Sequence, residues 1–320
     1  MSRASAELCA RASYGRLLAL VASRARDIAS AEDALADAFV AALAQWPRDG
    51  VPANPEAWLL TAARRRLLDA HRRAAVRTRE AQAVADAIER AAAQPDDALF
   101  PDDRLRLLFV CTHPAIDAEA QVPLMLQTIL GLDAGAVASA MRVAPKTMGQ
   151  RLWRAKTKIR EAGIPFDVPG RADLPDRLEA VLEAIYAAFG AAWEDVSGAD
   201  ARLQDLTAEA IFLGRLLVAL LPDEPEALGL LSLMLFAEAR RPARRTEAGG
   251  YVPLEAQDQT RWSPEPIDEA EALLARAATL GRVGPFQLEA ALQSAHVSGA
   301  RLGRIDHEGV LALYLSLIHI

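Results

Sequence analysis

Apolar residues recur at helical spacing in nearly every segment of this chain, and short stretches rich in proline and glycine separate the segments. The composition is 52% hydrophobic but only 5% aromatic, and alanine and leucine dominate it. Such a composition favours packed helices over sheets. We therefore predict an all-α fold. One apolar stripe of this kind, in "SAEDALADAFVAALAQW", comprises Leu35, Phe39, Ala42 and Trp46.

The length and the cysteine content restrict the kind of protein. A chain of 320 residues exceeds the roughly 250 residues at which one core stops growing, so we expect two or three domains. Cys9 and Cys111 have no metal-ligand spacing, and we expect no disulfide framework, metal or cofactor. The chain has no signal-peptide pattern and no run of about 18 uncharged apolar residues. We therefore expect a soluble cytoplasmic protein with no membrane partner.

Charge is distributed unevenly between the two halves. Residues 1–160 hold 23 Lys and Arg against 18 Asp and Glu, a net charge of +5. Residues 161–320 hold 13 against 25, a net charge of −12. The asymmetry predicts a front half that binds a polyanion and a back half with a different role.

The positive charge is most concentrated in "RVAPKTMGQRLWRAKTKIR", residues 142–160. This stretch has seven Lys or Arg, no acid and all three lysines of the chain. A solvated amphipathic helix is the alternative interpretation, but surface helices normally mix both signs of charge. We therefore favour contact with nucleic acid.

The same stretch ends a helix-turn-helix pattern. Asp133 can cap the first helix, and Pro145 suits the first position of the second helix. A buried stripe on the second helix would leave the cations to contact the major groove of DNA. The stripe comprises Met148, Leu152, Ala155 and Ile159.

A second basic run, residues 63–79, has seven arginines and one acid, Asp69. It follows Asn54 and Pro55, which are typical of the N-cap and first position of a helix. Earlier, Ser30 and Asp33 have the spacing of a capping box. Two basic helices in one acidic chain predict a bipartite DNA-binding protein.

The order of these segments resembles the extracytoplasmic-function sigma factors, group IV of the sigma-70 family. "SAEDALADAFVAALAQW" is similar to region 2.2 of the family, and "PEAWLLTAARRRLLDAHRR" is similar to region 2.4. "LGLDAGAVASAMRVAPKTMGQRLWRAKTKIR" resembles the helix-turn-helix of region 4.2. The back half resembles the subgroup with a long, tetratricopeptide-like C-terminal extension, although an ordinary helical bundle fits its helix pairs equally well.

The resemblance implies partners and residue roles. It implies a protein that binds core RNA polymerase and promoter DNA and directs promoter recognition and transcription initiation. The polymerase-binding residues would be Asp33, Asp37 and Phe39. The −10 element would be bound by Asn54, Trp58, Arg64, Arg65, His71, Arg72 and Arg73. The −35 element would be read by Lys146, Thr147, Gln150, Arg151, Arg154 and Lys158.

We assign a region 2-like domain to residues 6–80, a linker to 81–103, a region 4-like domain to 104–165 and a C-terminal helical extension to 166–320. The extension would regulate activity within the same chain. The last six residues, "LSLIHI", match the translation of a transposon end used in sequencing libraries. We interpret them as the product of a broken gene.

Arg142 departs from the family pattern, because helix-turn-helix turns usually hold glycine there. If the position requires a left-handed backbone, a non-glycine residue costs about 1–2 kcal/mol.

Other functions remain open from the sequence. A helix-turn-helix regulator that never joins polymerase would share the basic helices, and a helical-repeat scaffold would share the acidic half. An enzyme is disfavoured, because G-x-S-x-G, P-loop and H-E-x-x-H motifs are missing from the sequence.

Overall fold

The computed structural model describes residues 2–25, 27–75, 100, 102–161, 169–193, 201–246, 249–302 and 306–319. Within these ranges the chain forms helices joined by turns and contains no strand, so the all-α prediction is confirmed. The helices are α1 (Ser2–Ala25), α2 (Ile28–Asp49), α3 (Pro55–Ala75), α4 (Asp103–Cys111), α5 (Ala118–Thr128), α6 (Ala134–Ala140), α7 (Pro145–Glu161), α8 (Leu174–Trp193), α9 (Ala201–Leu220), α10 (Pro225–Ala239), α11 (Pro264–Thr279), α12 (Pro285–Leu302) and α13 (His307–His319).

The chain divides into two compact units, Met1–Ala184 and Ile185–Ile320. The first unit contains both basic helices, α3 and α7. In the first unit α1 packs against α2, α3 and α4, and α2 also contacts α7. The domain boundaries at 80, 103 and 165 stay predictions, and most of the linker assigned to 81–103 lies outside the described residues.

Helix α2 begins earlier than the sequence pattern indicates. Asp27 is its N-cap, and its carboxylate accepts hydrogen bonds from the amides of Ala29 (3.2 Å) and Ser30 (3.0 Å). The predicted capping box at Ser30 and Asp33 is therefore wrong, because an upstream aspartate satisfies the first free amides. Asp33 instead lies on the exposed side of the second helical turn.

Helix α3 begins as the sequence predicts. Its first residue is Pro55, and the side-chain oxygen of Asn54 accepts a hydrogen bond from the Ala57 amide at 3.0 Å. Proline, which has no backbone N–H, loses no hydrogen bond at this position, because the first amides of a helix have no partner within the helix.

Helices α6 and α7 are joined by a tight turn. Asp133 caps α6 through bonds from the amides of Gly135 (2.8 Å) and Ala136 (2.9 Å), as predicted. At the other end Arg142 has φ of 51°, in the left-handed region. Its amide donates to the Ser139 carbonyl, and the Val143 amide donates to the Ala138 carbonyl. This bond pattern is the Schellman motif, which usually takes glycine at the left-handed position.

Helix α10 is the centre of the second unit. Nearly all its residues are buried, and it packs against α9, α11 and α12. Gly229 allows the start of α12 to approach α10 closely, because a Cβ at position 229 would lie 2.6 Å from the Gln287 backbone nitrogen. The Glu226 carboxylate accepts bonds from the Phe286 and Gln287 amides, both at 3.0 Å, and so caps α12. The choice between a tetratricopeptide-like stack and an ordinary bundle stays open.

The left-handed backbone at Arg142 gives a stability prediction. Replacing Arg142 with Gly should raise the free energy of unfolding of the first unit by about 0.5–1 kcal/mol. The substitution relieves about 1–2 kcal/mol of backbone strain, which exceeds the free-energy cost of the greater freedom of glycine in the unfolded chain. Chemical denaturation of the full chain measures the change. Arg142→Ala, which keeps a Cβ, is the control and should gain nothing. Equal free energies of unfolding for the Gly and Ala variants would contradict the claim that the backbone at Arg142 is strained.

Candidate nucleic-acid interface

The orientation of α7 is set by its apolar stripe. Met148, Leu152, Ala155 and Ile159 are all buried, as the sequence predicts. Within the first unit α7 contacts α2, α5 and α6. Because the stripe is held inward, the side chains on the opposite side of α7 are exposed.

The exposed side of α7 carries four of the residues predicted to read the −35 element. Residues three and four apart in a helix lie side by side, so Lys146, Gln150 and Arg154 form one row. Thr147 flanks the row, and all four side chains are exposed. Acids are missing from α7 until its last residue, Glu161. The surface therefore combines positive charge with an amide that can donate to and accept from a base edge.

The two other predicted −35 residues are engaged in ion pairs. Arg151 lies 2.6 Å from the Glu119 carboxylate, and Lys158 lies 3.0 Å from the Asp117 carboxylate. Both acids are more than 75% exposed in their side chains, so these pairs are screened by solvent. Either cation can exchange its carboxylate for a phosphate at small cost.

Sequence reasoning missed an aromatic residue on the same surface. Trp153 is 66% exposed, and because it is three residues after Gln150 it lies beside that side chain on the exposed side of α7. The signal was present in the helical pattern, because Trp153 does not fall on the apolar stripe at 148, 152, 155 and 159.

Helix α3 presents the second cationic surface. Arg64, Arg65 and Arg66 are exposed, while Leu59, Ala63 and Leu67 anchor the helix. Partial burial, together with the nearby charge of Arg24, lowers the pKa of Arg64 from its usual value. His71, Arg72 and Arg73 belong to α3, but their side chains lie outside the described residues.

Two of the residues predicted to bind the −10 element, Asn54 and Trp58, have structural roles in this conformation. Asn54 caps α3, although its side chain is exposed. Trp58 is half-buried and packs edge-on against Trp46, with ring centroids 5.6 Å apart. Trp58 is therefore part of the packing between α2 and α3.

The predicted polymerase-binding residues are only partly on the surface. Asp33 and Asp37 are exposed on α2. Phe39 is half-buried and stacks on Tyr14 at 6.3 Å, so it contributes to packing between α1 and α2. Val40 and Leu43 are exposed apolar residues that sequence reasoning missed. They follow the two aspartates along α2 and extend the exposed surface.

A partly buried polar contact joins α2 and α7. Lys156 of α7 forms an ion pair with Glu32 of α2 at 2.8 Å, and the two side chains are only 24% and 16% exposed. Next to it α1 approaches the end of α5 so closely that a Cβ on Gly15 would lie 1.8 Å from the Ile129 carbonyl oxygen. Glycine is therefore required at position 15 for this packing.

Two other polar side chains lie near the Glu32–Lys156 pair. Burial, assisted by the charge of Glu32, raises the pKa of Tyr14 to about 12. Burial likewise raises the pKa of the Cys111 thiol to about 12, and both charges of the ion pair act on it. Cys111 is thus a packed, protonated thiol at neutral pH.

Among the described residues, no three His, Cys, Asp or Glu side chains lie close enough to hold a metal ion. None of the helices in the described part of the chain is long and apolar enough to cross a membrane.

Parts of the chain are similar to known protein families, and most of it is similar to one known protein. Residues 9–77 match the sigma-70 region 2 family, and residues 177–278 match a family of unknown function, DUF6596. The Uncharacterized protein R00370 of Rhizobium meliloti (strain 1021) is 38% identical over 297 residues, which cover 91% of this chain and 70% of that protein. No solved structure matches the chain.

Proposed function

We propose that this chain, which belongs to the same family as Uncharacterized protein R00370 and contains a sigma-70 region 2, is an RNA polymerase sigma factor of the extracytoplasmic-function group. It directs promoter recognition and transcription initiation. A sigma-70 region 2 supports a role in initiation, and the match covers α2 and α3, where the sequence resembles regions 2.2 and 2.4.

The observation that carries the proposal is the pairing of this match with the exposed face of α7. A regulator that never joins polymerase needs a helix-turn-helix, but it does not need a region 2. Here Lys146, Gln150 and Arg154 line one exposed row on a helix that follows a tight turn, which suits entry into the major groove. Region 2 and α7 together favour a polymerase subunit that contacts two promoter elements.

The roles divide between the elements. On α7, Gln150 would contact a base edge, while Lys146 and Arg154 would neutralise phosphates and fix the register. On α3, Arg64 and Arg65 would hold the backbone of the −10 element. The exposed surface of Asp33, Asp37 and Val40 on α2 would dock on core polymerase.

Run-off transcription tests the proposal. Genomic fragments would be transcribed by core polymerase from the source bacterium, with and without the full chain, and start sites would be mapped. We expect defined start sites only when the chain is added. A chain that binds DNA but produces no new start site would favour the alternative of a regulator outside polymerase.

Salt dependence separates the two kinds of contact on α7. Arg154→Ala should reduce the slope of log affinity against log salt by about 1, since one phosphate contact is lost. Gln150→Ala should leave that slope unchanged and reduce discrimination between promoters by about 1–3 kcal/mol. Arg282→Ala removes a cation from the second unit and is the matched control. Identical effects of the Arg154 and Gln150 variants would contradict the assignment.

We also propose that the C-terminal extension regulates this activity within the chain. Its support is the net charge of −12 in residues 161–320, which is opposite in sign to the front half. Deleting the residues after about 170 should change promoter output and polymerase affinity in cells. Unchanged values of both would contradict regulation by the extension.

A further inference from the structure

We infer that Trp153 determines promoter specificity by contacting the C5-methyl group of a thymine in the upstream element; this inference rests on the proposed function. The indole is 66% exposed, although tryptophan is among the residues with the largest apolar surface to bury. The buried side of α7 is complete without it. Most of the apolar surface of Trp153 is therefore left in contact with solvent.

The neighbours of Trp153 indicate the partner. It is three residues from Gln150 and adjacent to Arg154, and the row of exposed side chains around it carries cations and no carboxylate. A polyanion matches that charge. Within the major groove of DNA the apolar group available to an indole is the thymine methyl.

The position along the helix fits this contact. Trp153 lies about 4.5 Å beyond Gln150 along the axis of α7, since each residue advances the helix by about 1.5 Å. One base-pair step is about 3.4 Å. Trp153 therefore reaches a base pair next to the one that Gln150 reads, and both lie within a groove about 12 Å wide.

Substitution of thymine by uracil tests the contact, because it removes the methyl group alone. The probe is a promoter duplex from the start-site map, with each upstream thymine replaced in turn, bound to polymerase carrying the full chain. At one position we expect uracil to weaken binding about fourfold, the effect of losing one buried methyl group. Trp153→Ala should bind thymine and uracil duplexes equally, while Tyr251→Ala, which truncates another exposed aromatic residue, should keep the fourfold difference.

The outcomes distinguish failure of the Trp153 inference from failure of the proposed function. If the wild-type chain forms a specific complex but no thymine is sensitive to its methyl group, the inference is wrong. It is also wrong if Trp153→Ala keeps the difference, or if that variant instead loses affinity for polymerase without DNA, which would mean a protein partner. Failure of the wild-type chain to form any specific complex would overturn the proposed function itself.

Discussion

Burial of one apolar stripe on α7 is the constraint on which the surface of the first unit depends. With Met148, Leu152 and Ile159 held inward, the helix cannot rotate without exposing them, and each such side chain is worth about 1.5–3 kcal/mol when buried. Lys146, Arg154 and Trp153 are exposed as a consequence. Substitutions in the exposed row of Lys146, Gln150 and Arg154 should therefore have little effect on the fold, because those side chains are exposed.

Two contacts within the first unit specify how its helices pack. Glu32 of α2 and Lys156 of α7 form a partly buried ion pair, and α2 also packs against the other cationic helix, α3. A buried pair contributes little net stability, but breaking it by loss of one partner is costly. Such a pair is suited to specifying one packed arrangement. Gly15 adds to this specification, since no other residue permits the approach of α1 to Ile129.

Local features were predictable from the sequence, and long-range ones were not. The stripe on α7 and the caps at Asn54 and Asp133 follow from helical spacing and capping chemistry, and the structure confirms them. The cap of α2 was misassigned because Asp27 competes with Ser30 within one turn, and sequence alone does not rank them. The Glu32–Lys156 contact joins residues far apart in the chain, so no periodicity signals it. The exposure of Trp153 also follows from helical spacing, because position 153 does not fall on the stripe at 148, 152, 155 and 159.

Footprinting of the open complex tests the central claim most directly. Hydroxyl radicals would cleave a promoter bound by polymerase and the full chain, and the protected backbone would be read on both strands. The account predicts two protected segments about 25 base pairs apart, with loss of the upstream segment alone when Lys146, Gln150 and Arg154 are replaced by alanine. Protection of a single segment, or an unchanged pattern in that variant, would contradict it.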